Sequence, residues 1–151
     1  MVLRPVVEMI EQQAWLDLVA EKLQHAVAGM FKAAGPAQPA IQDFLYGTWL
    51  GHPFHPVLTD DALGRWVTAL ALDTLEATTG RKQFRAGADA AVALWLAGAV
   101  GSAITGLNDW QWTIAQPRRI GLSHAGLNGS GVVLYTLSWL LRRAGSRTAG
   151  R

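Results

Sequence analysis

Two stretches of this chain carry no formal charge, Ala90 to Leu107 and Ile120 to Leu141. At 1.5 Å per helical residue the second is about 33 Å long, enough to cross the hydrocarbon core of a bilayer. Neither alternates in the two-residue period of a half-buried strand, so both are expected to be helices. They either span a membrane or lie at the centre of a bundle. Arg142 and Arg143 stop the second run. Gly121, Ala125 and Gly129 recur along it at steps of four, and Ala97/Gly101 and Gly98/Ser102 repeat the spacing in the first. Such rows let helix backbones approach closely, which is a packing feature first.

Composition points the same way. Only 16% of the residues are charged, where soluble domains run nearer a quarter. Seven tryptophans fit a chain that meets membrane–water boundaries, since an indole is apolar with one polar N–H. The absence of cysteine excludes disulfides, thiolate metal sites and a cysteine nucleophile. No interleaved basic and aromatic surface points to nucleic acid. Glu8, Glu11, Asp17 and Glu21 interrupt any apolar core near the start, so no signal peptide is expected there.

The fold class expected is all-α, a small helical bundle with an N-terminal amphipathic helix and three longer, membrane-crossing helices. Residues 1–35 hold the amphipathic helix, with Leu16, Val19, Leu23, Val27 and Met30 at three- and four-residue steps and Gly35-Pro36 as its stop. It either lies at a membrane interface or covers the bundle. Residues 36–59 read as a proline-rich linker with a short helical or turn segment near 43–50. Residues 60–143 form the bundle, and residues 144–151 a basic flexible tail. The first bundle helix should start at Asp60, where carboxylates favour the exposed amides, and end at Gly80. Arg65, Asp73 and Glu76 make it a poor lipid-facing span, so its charges are either buried or paired in the bundle.

If the three long helices alternate in direction, the polar groups sort by end. His52, His55, Asp60, Asp61, Asn108, Asp109, His124 and Asn128 gather at one end. Arg81, Lys82, Arg85, Arg142, Arg143, Arg147 and Arg151 gather at the other. The positive-inside rule then makes the arginine-rich end and the C-terminus cytoplasmic and the histidine end extracytoplasmic, at the cell membrane. In the segment Gly51-His52-Pro53-Phe54-His55-Pro56 each histidine precedes a proline, which favours extended or polyproline backbone. With three residues per turn, the two imidazoles would project from one side, roughly 9 Å apart.

Three blocks resemble a known family. They are residues 47–60 (GTWLGHPFHPVLTD), 105–110 (TGLNDW) and 119–128 (RIGLSHAGLN). In that order they are similar to the membrane family called domain of unknown function 2231, over about residues 44–143. The resemblance implies a helical membrane protein. Some relatives carry a Rieske iron–sulfur domain behind this module, which implies redox company. It carries over to His52, His55, Asp109, His124 and Asn128. Relatives usually have an apolar, proline-containing stretch after Asp60, where this chain reads Asp61-Ala62-Leu63-Gly64-Arg65-Trp66. This chain reaches Arg151 without a Rieske domain, so a Rieske-type or other redox partner is expected to be a separate chain.

Neutral imidazoles are common ligands of first-row metals. The expected site therefore has His52, His55 and His124 as ligands of haem b or a first-row transition metal, serving electron transfer. Asp109, Asn128 and Asp60 would orient them. No HExxH, P-loop or nucleophile elbow marks an enzyme. The competing expectation is a non-catalytic structural or partner-docking module, with the histidines only hydrogen-bonded, and with a homo-oligomer, soluble or in the membrane, within reach.

Overall fold

The computed structural model describes residues 4–150. Among them are six α-helices and no strand: α1 Arg4–Glu11, α2 Trp15–Lys32, α3 Gln38–Tyr46, α4 Phe54–Thr79, α5 Phe84–Trp110 and α6 Ala115–Arg143. Short 3₁₀ turns at Gly35–Ala37 and Thr48–Leu50 flank α3. The all-α bundle read from the sequence is therefore present, with more helix than expected.

Three boundaries differ from the expectation. The N-terminal helix is two helices. The carbonyl of Glu11, which a continuous helix would bond to the amide of residue 15, accepts from the Arg119 guanidinium instead. No proline or glycine marks that break. The short helical segment expected near 43–50 is α3, which starts earlier, at Gln38, and is ended by Gly47 at φ 80°. A side chain there would strike the His52 carbonyl and the Phe54 amide, so only glycine allows the chain to fold back so tightly. Finally, α4 begins at Phe54 and not at Asp60. Pro56 sits in its first turn, where a missing N–H leaves no helical bond unmade. Asp60 is thus an exposed residue inside the helix and not its cap, and His55 is helical, not polyproline.

The chain divides into two compact units, Met1–His55 with Ala103–Asn128, and Pro56–Ser102 with Gly129–Arg151. In the first unit, Asp17, Glu21 and Gln24 share one face of α2, at steps of four and three. Asp17 accepts from Arg119 Nε (3.1 Å) and Nη2 (2.5 Å). Arg118 Nη2 reaches Asp17 (3.1 Å) and Glu21 (3.0 Å). Gln24 donates to the carbonyls of Trp110 (3.0 Å) and Thr113 (2.9 Å). The helix docks by its polar face. Of the apolar row expected to face a core, Val27 is buried, whereas Val19, Leu23 and Met30 are exposed.

In the second unit, Ala69, Ala91 and Val92 form a small core against Leu96, Tyr135 and Trp139. Trp66 donates its indole N–H to Tyr135, and Trp95 packs against the same tyrosine at 4.7 Å between ring centres. The small row of α5 faces α4. A Cβ placed on Gly98 would lie 3.5 Å from Ala62 Cβ, and one on Gly101 3.4 Å from Leu58. Thr59 and Ser102 hydroxyls bond at 2.9 Å in the same seam.

The charges of α4 also find their partners here. Arg142 donates to Asp73 Oδ1 (3.0 Å) and Asp89 (3.2 Å), and binds Asp73 through Nη2 as well. Arg147 reaches Glu76 (2.9 Å), Asp73 (3.1 Å) and Asp89. Arg85 Nε bonds Glu76 at 2.5 Å. Three carboxylates meet three guanidiniums at the ends of α4, α5 and α6. The tail expected to be flexible folds back through Arg147, and its Gly150 carbonyl accepts from Arg142 Nε (2.8 Å). Arg65 is not part of this cluster; it pairs with Asp61 one turn away at 2.7 Å.

Among the described residues α5 alone is long and apolar enough, by length and composition, to cross a membrane, with mean hydropathy 1.8. The expectation of more than one such span is corrected. Glycine, serine, histidine and asparagine dilute the charge-free run of α6, and α4 carries Asp60, Asp61, Arg65, Asp73 and Glu76.

Removing one partner of a buried pair strands the other, at a cost of about 3–5 kcal/mol. Asp73→Ala should therefore lower thermal stability by several kcal/mol, read by circular dichroism in detergent, while Asp61→Ala on the exposed pair should cost no more than about 1 kcal/mol. The Arg119 hydrogen bond, helped by Arg118, lowers the Asp17 carboxyl from 3.8 to about 2. A depressed carboxyl contributes stability above its unfolded value and loses it as pH falls through the folded one. Hydrogen-exchange protection of α2 should hold above pH 3.8 and decline toward about 2. Asp17→Asn should abolish the change in that window.

Candidate functional site

The polar residues singled out in the sequence fall largely in one unit. His52, His55, Asn108, Asp109, His124 and Asn128 all belong to the first, while Asp60 belongs to the second. Sharing a unit does not bring their side chains together.

His52 is exposed in the turn before α4 and donates Nδ1–H to the Pro53 carbonyl at 2.9 Å. His55, in the first turn of α4, is half-buried, with Nδ1 3.2 Å from Thr105 Oγ1 on α5. Its ring lies almost on the α5 backbone, because residue 106 has no side chain. A Cβ on Gly106 would come 2.8 Å from Cε1 and 3.1 Å from Nδ1 of the imidazole. Asp109, one turn further along α5, lies close enough to interact electrostatically with His55. His124 is exposed on α6. Asn128 donates Nδ2–H to its Nε2 (3.1 Å) and to its carbonyl (2.9 Å). These are contacts along one helix, with no second element involved.

Each of these three histidines thus has its own protein partner. Among the described residues no three histidine, aspartate or glutamate side chains lie together as a metal ion requires. The imidazoles of His52, His55 and His124 do not form one ligand set in this arrangement. An open groove of about 250 Å³ in the second unit is lined by Trp66, Leu70, Asp73, Tyr135 and Arg142 among others, and it holds no histidine.

Around His55 the polar groups are deeply placed. Thr105 and Asn108 are buried, as is Trp110. Gln111 donates to the Asn108 carbonyl (2.9 Å) and side chain (3.3 Å). Trp110 donates its indole N–H to the Arg118 carbonyl at 3.0 Å, with its ring over Gly121. Sequence reasoning missed Thr105 and Gly106 as the His55 contacts. Their place three and four residues before Asp109, on its helix face, was the available signal. It likewise missed the Arg142–Arg147 cluster, whose members are far apart in sequence.

Gly106→Val should displace His55, break its contact with Thr105 and lower stability by roughly 1–3 kcal/mol, as overpacking does. Nitrogen chemical shifts of the His55 ring, together with thermal unfolding, check this. Unchanged shifts would refute the close packing.

No curated protein and no solved structure matches the chain. A comparison with protein families matches residues 51–151 to the family described as predicted membrane protein (DUF2231). The match begins at Gly51 and takes in the histidine motif, α4, α5, α6 and the basic tail. On that match the chain belongs to the DUF2231 family of predicted membrane proteins.

Proposed function

We propose that the chain works inside a lipid bilayer as a non-catalytic helical module, in which His55 is a structural hydrogen-bonder that fixes α4 against α5. The observation that carries this reading is an inverted polarity. Two of the three largest fully buried side chains, Asn108 and Thr105, are polar. The other buried positions on the long helices are mostly alanine, with the ion-paired Glu76 and Arg142. Large apolar residues point outward instead: Leu63, Val67 and Leu70 on α4; Leu94, Val100 and Ile104 on α5; Val133, Leu134 and Leu137 on α6. Steps of four and three set Leu63, Val67 and Leu70 along one side of α4, and at about 100° per residue Val133, Leu134 and Leu137 share one side of α6 and Val100 and Ile104 one side of α5, with Leu94 about 120° from Val100. In water this surface would drive aggregation; in lipid it is the solvent-facing side, and small residues are what helix seams use there.

The basic residues of the second unit favour a cytoplasmic placement for that end, by the positive-inside rule.

A haem or metal centre serving electron transfer is the second reading, supported by His55 and Asp109 lying close together. It requires His124 to leave Asn128 and turn toward His55, and the signature would be a Soret band or stoichiometric metal lost in both His55→Ala and His124→Ala.

The module should stay with membranes after alkaline carbonate washing and need detergent for extraction. Release into the carbonate supernatant would overturn the membrane reading. On the structural reading, His55→Ala costs about 1 kcal/mol through the loss of its hydrogen bond to Thr105. His52→Ala and His124→Ala, both at exposed positions, stay within about 0.5 kcal/mol. Equal losses at all three sites would argue against it.

A further inference from the structure

The first unit carries an aromatic surface that the bundle does not use. Phe44 and Trp49 stack at 5.5 Å and 10° between planes. Phe54 packs edge-on against both, at 5.8 and 5.6 Å. Phe44 and Trp49 nevertheless remain 53% and 58% exposed, and Trp112 65%. The polar atom of each indole is already satisfied. Trp49 donates its N–H to the Phe44 carbonyl at 3.1 Å, and Trp112 to the Tyr46 hydroxyl at 2.6 Å. What these rings offer outward is apolar.

Three observations identify what covers this surface. Trp112 lies two residues beyond the end of α5, the helix fit to cross a membrane. Its bond to Tyr46 joins that end to the 44–54 segment. The sequence is free of formal charge between Asp43 and Asp60 and again between Asp109 and Arg118, which fits a hydrocarbon boundary better than a hydrated protein partner. Rings of this type concentrate at the edge of the hydrocarbon layer, where each aromatic side chain covers roughly 150–250 Å².

We propose that the surface of Phe44, Trp49, Phe54 and Trp112 inserts into the lipid interface and anchors the residues preceding the family-matched region to the bilayer. This rests on the membrane reading above. It goes further, because it gives a lipid contact to a segment outside the family match and outside any spanning helix.

The chain has no cysteine, so single cysteines can be placed in the full protein. Nitroxide labels at Trp49→Cys and Trp112→Cys are compared with Lys22→Cys, exposed on α2, and Leu94→Cys, exposed on α5. In phosphatidylcholine vesicles, power saturation compares collision with oxygen against collision with a water-soluble nickel chelate. The expected result is an oxygen-to-nickel ratio at positions 49 and 112 several-fold above that at 22, approaching that at 94. A ratio at 49 and 112 equal to that at 22, with 94 lipid-like, overturns the anchor and leaves the membrane reading standing. Aqueous behaviour at 94 as well overturns both. Low collision with both reagents together with dipolar coupling between labels means that a second copy covers the surface, which also overturns the proposal. Should the cysteine variants lose helix, brominated phosphatidylcholine quenching compares the wild type with W49F/W112F. The wild type should lose the larger fraction of its fluorescence; equal fractional quenching overturns the proposal.

Discussion

Arg142, its side chain buried, meets the mostly buried carboxylate of Asp73, and the second unit is organised around that meeting. A guanidinium fork matches a carboxylate in two places, so the pair fixes orientation as well as distance. Asp89 extends the contact to α5, and Arg147 brings the tail into it. With charges so deep, neither partner is tolerable alone, and the three helices are held in one register because every other register would strand a charge.

Within each unit α4 meets α5 by one rule. In the second unit the seam is made of Gly98, Gly101, Ala62 and the Thr59–Ser102 hydroxyl pair. In the first it is made of Gly106, Thr105 and His55. Both portions trade side-chain bulk for close backbone approach and a short polar contact. That is how helices associate where the surroundings are as apolar as the side chains, and burying leucine therefore gains little. α2 follows the same logic, docking by Asp17, Glu21 and Gln24 and leaving Leu18 and Leu23 exposed.

Much of this was legible in the sequence. The charge-free runs located α5 and α6, and Gly80 ended α4. What failed to be legible depended on tertiary context. Two His-Pro pairs look alike locally, yet Pro53 precedes a helix and Pro56 lies within it. The break after Glu11 is made by Arg119, more than a hundred residues away. Whether His55 and His124 face a common point depends on the rotation of α4 and α6 about their axes, which no local spacing carries; the structure gives His55 to α5 and leaves His124 with Asn128. The arginines at 142 and 147 read as a stop signal and a loose tail because their partners lie in other helices.

The order of the chain gives the ionic cluster a history. Asp89 and Arg142 are 53 residues apart, so at about 5–20 residues per second the acids of α4 and α5 exist for roughly 3–10 s before the first of these two arginines has been made. Through that interval Arg85 is the only guanidinium of the cluster already synthesised. Carboxylates in such a position must stay hydrated, since an isolated charge does not enter hydrocarbon cheaply. The closing of the ionic cluster therefore has to wait for the last turn of α6, and until then α4 and α5 are joined by Arg85–Glu76 and by the Gly98, Gly101 and Thr59–Ser102 contacts.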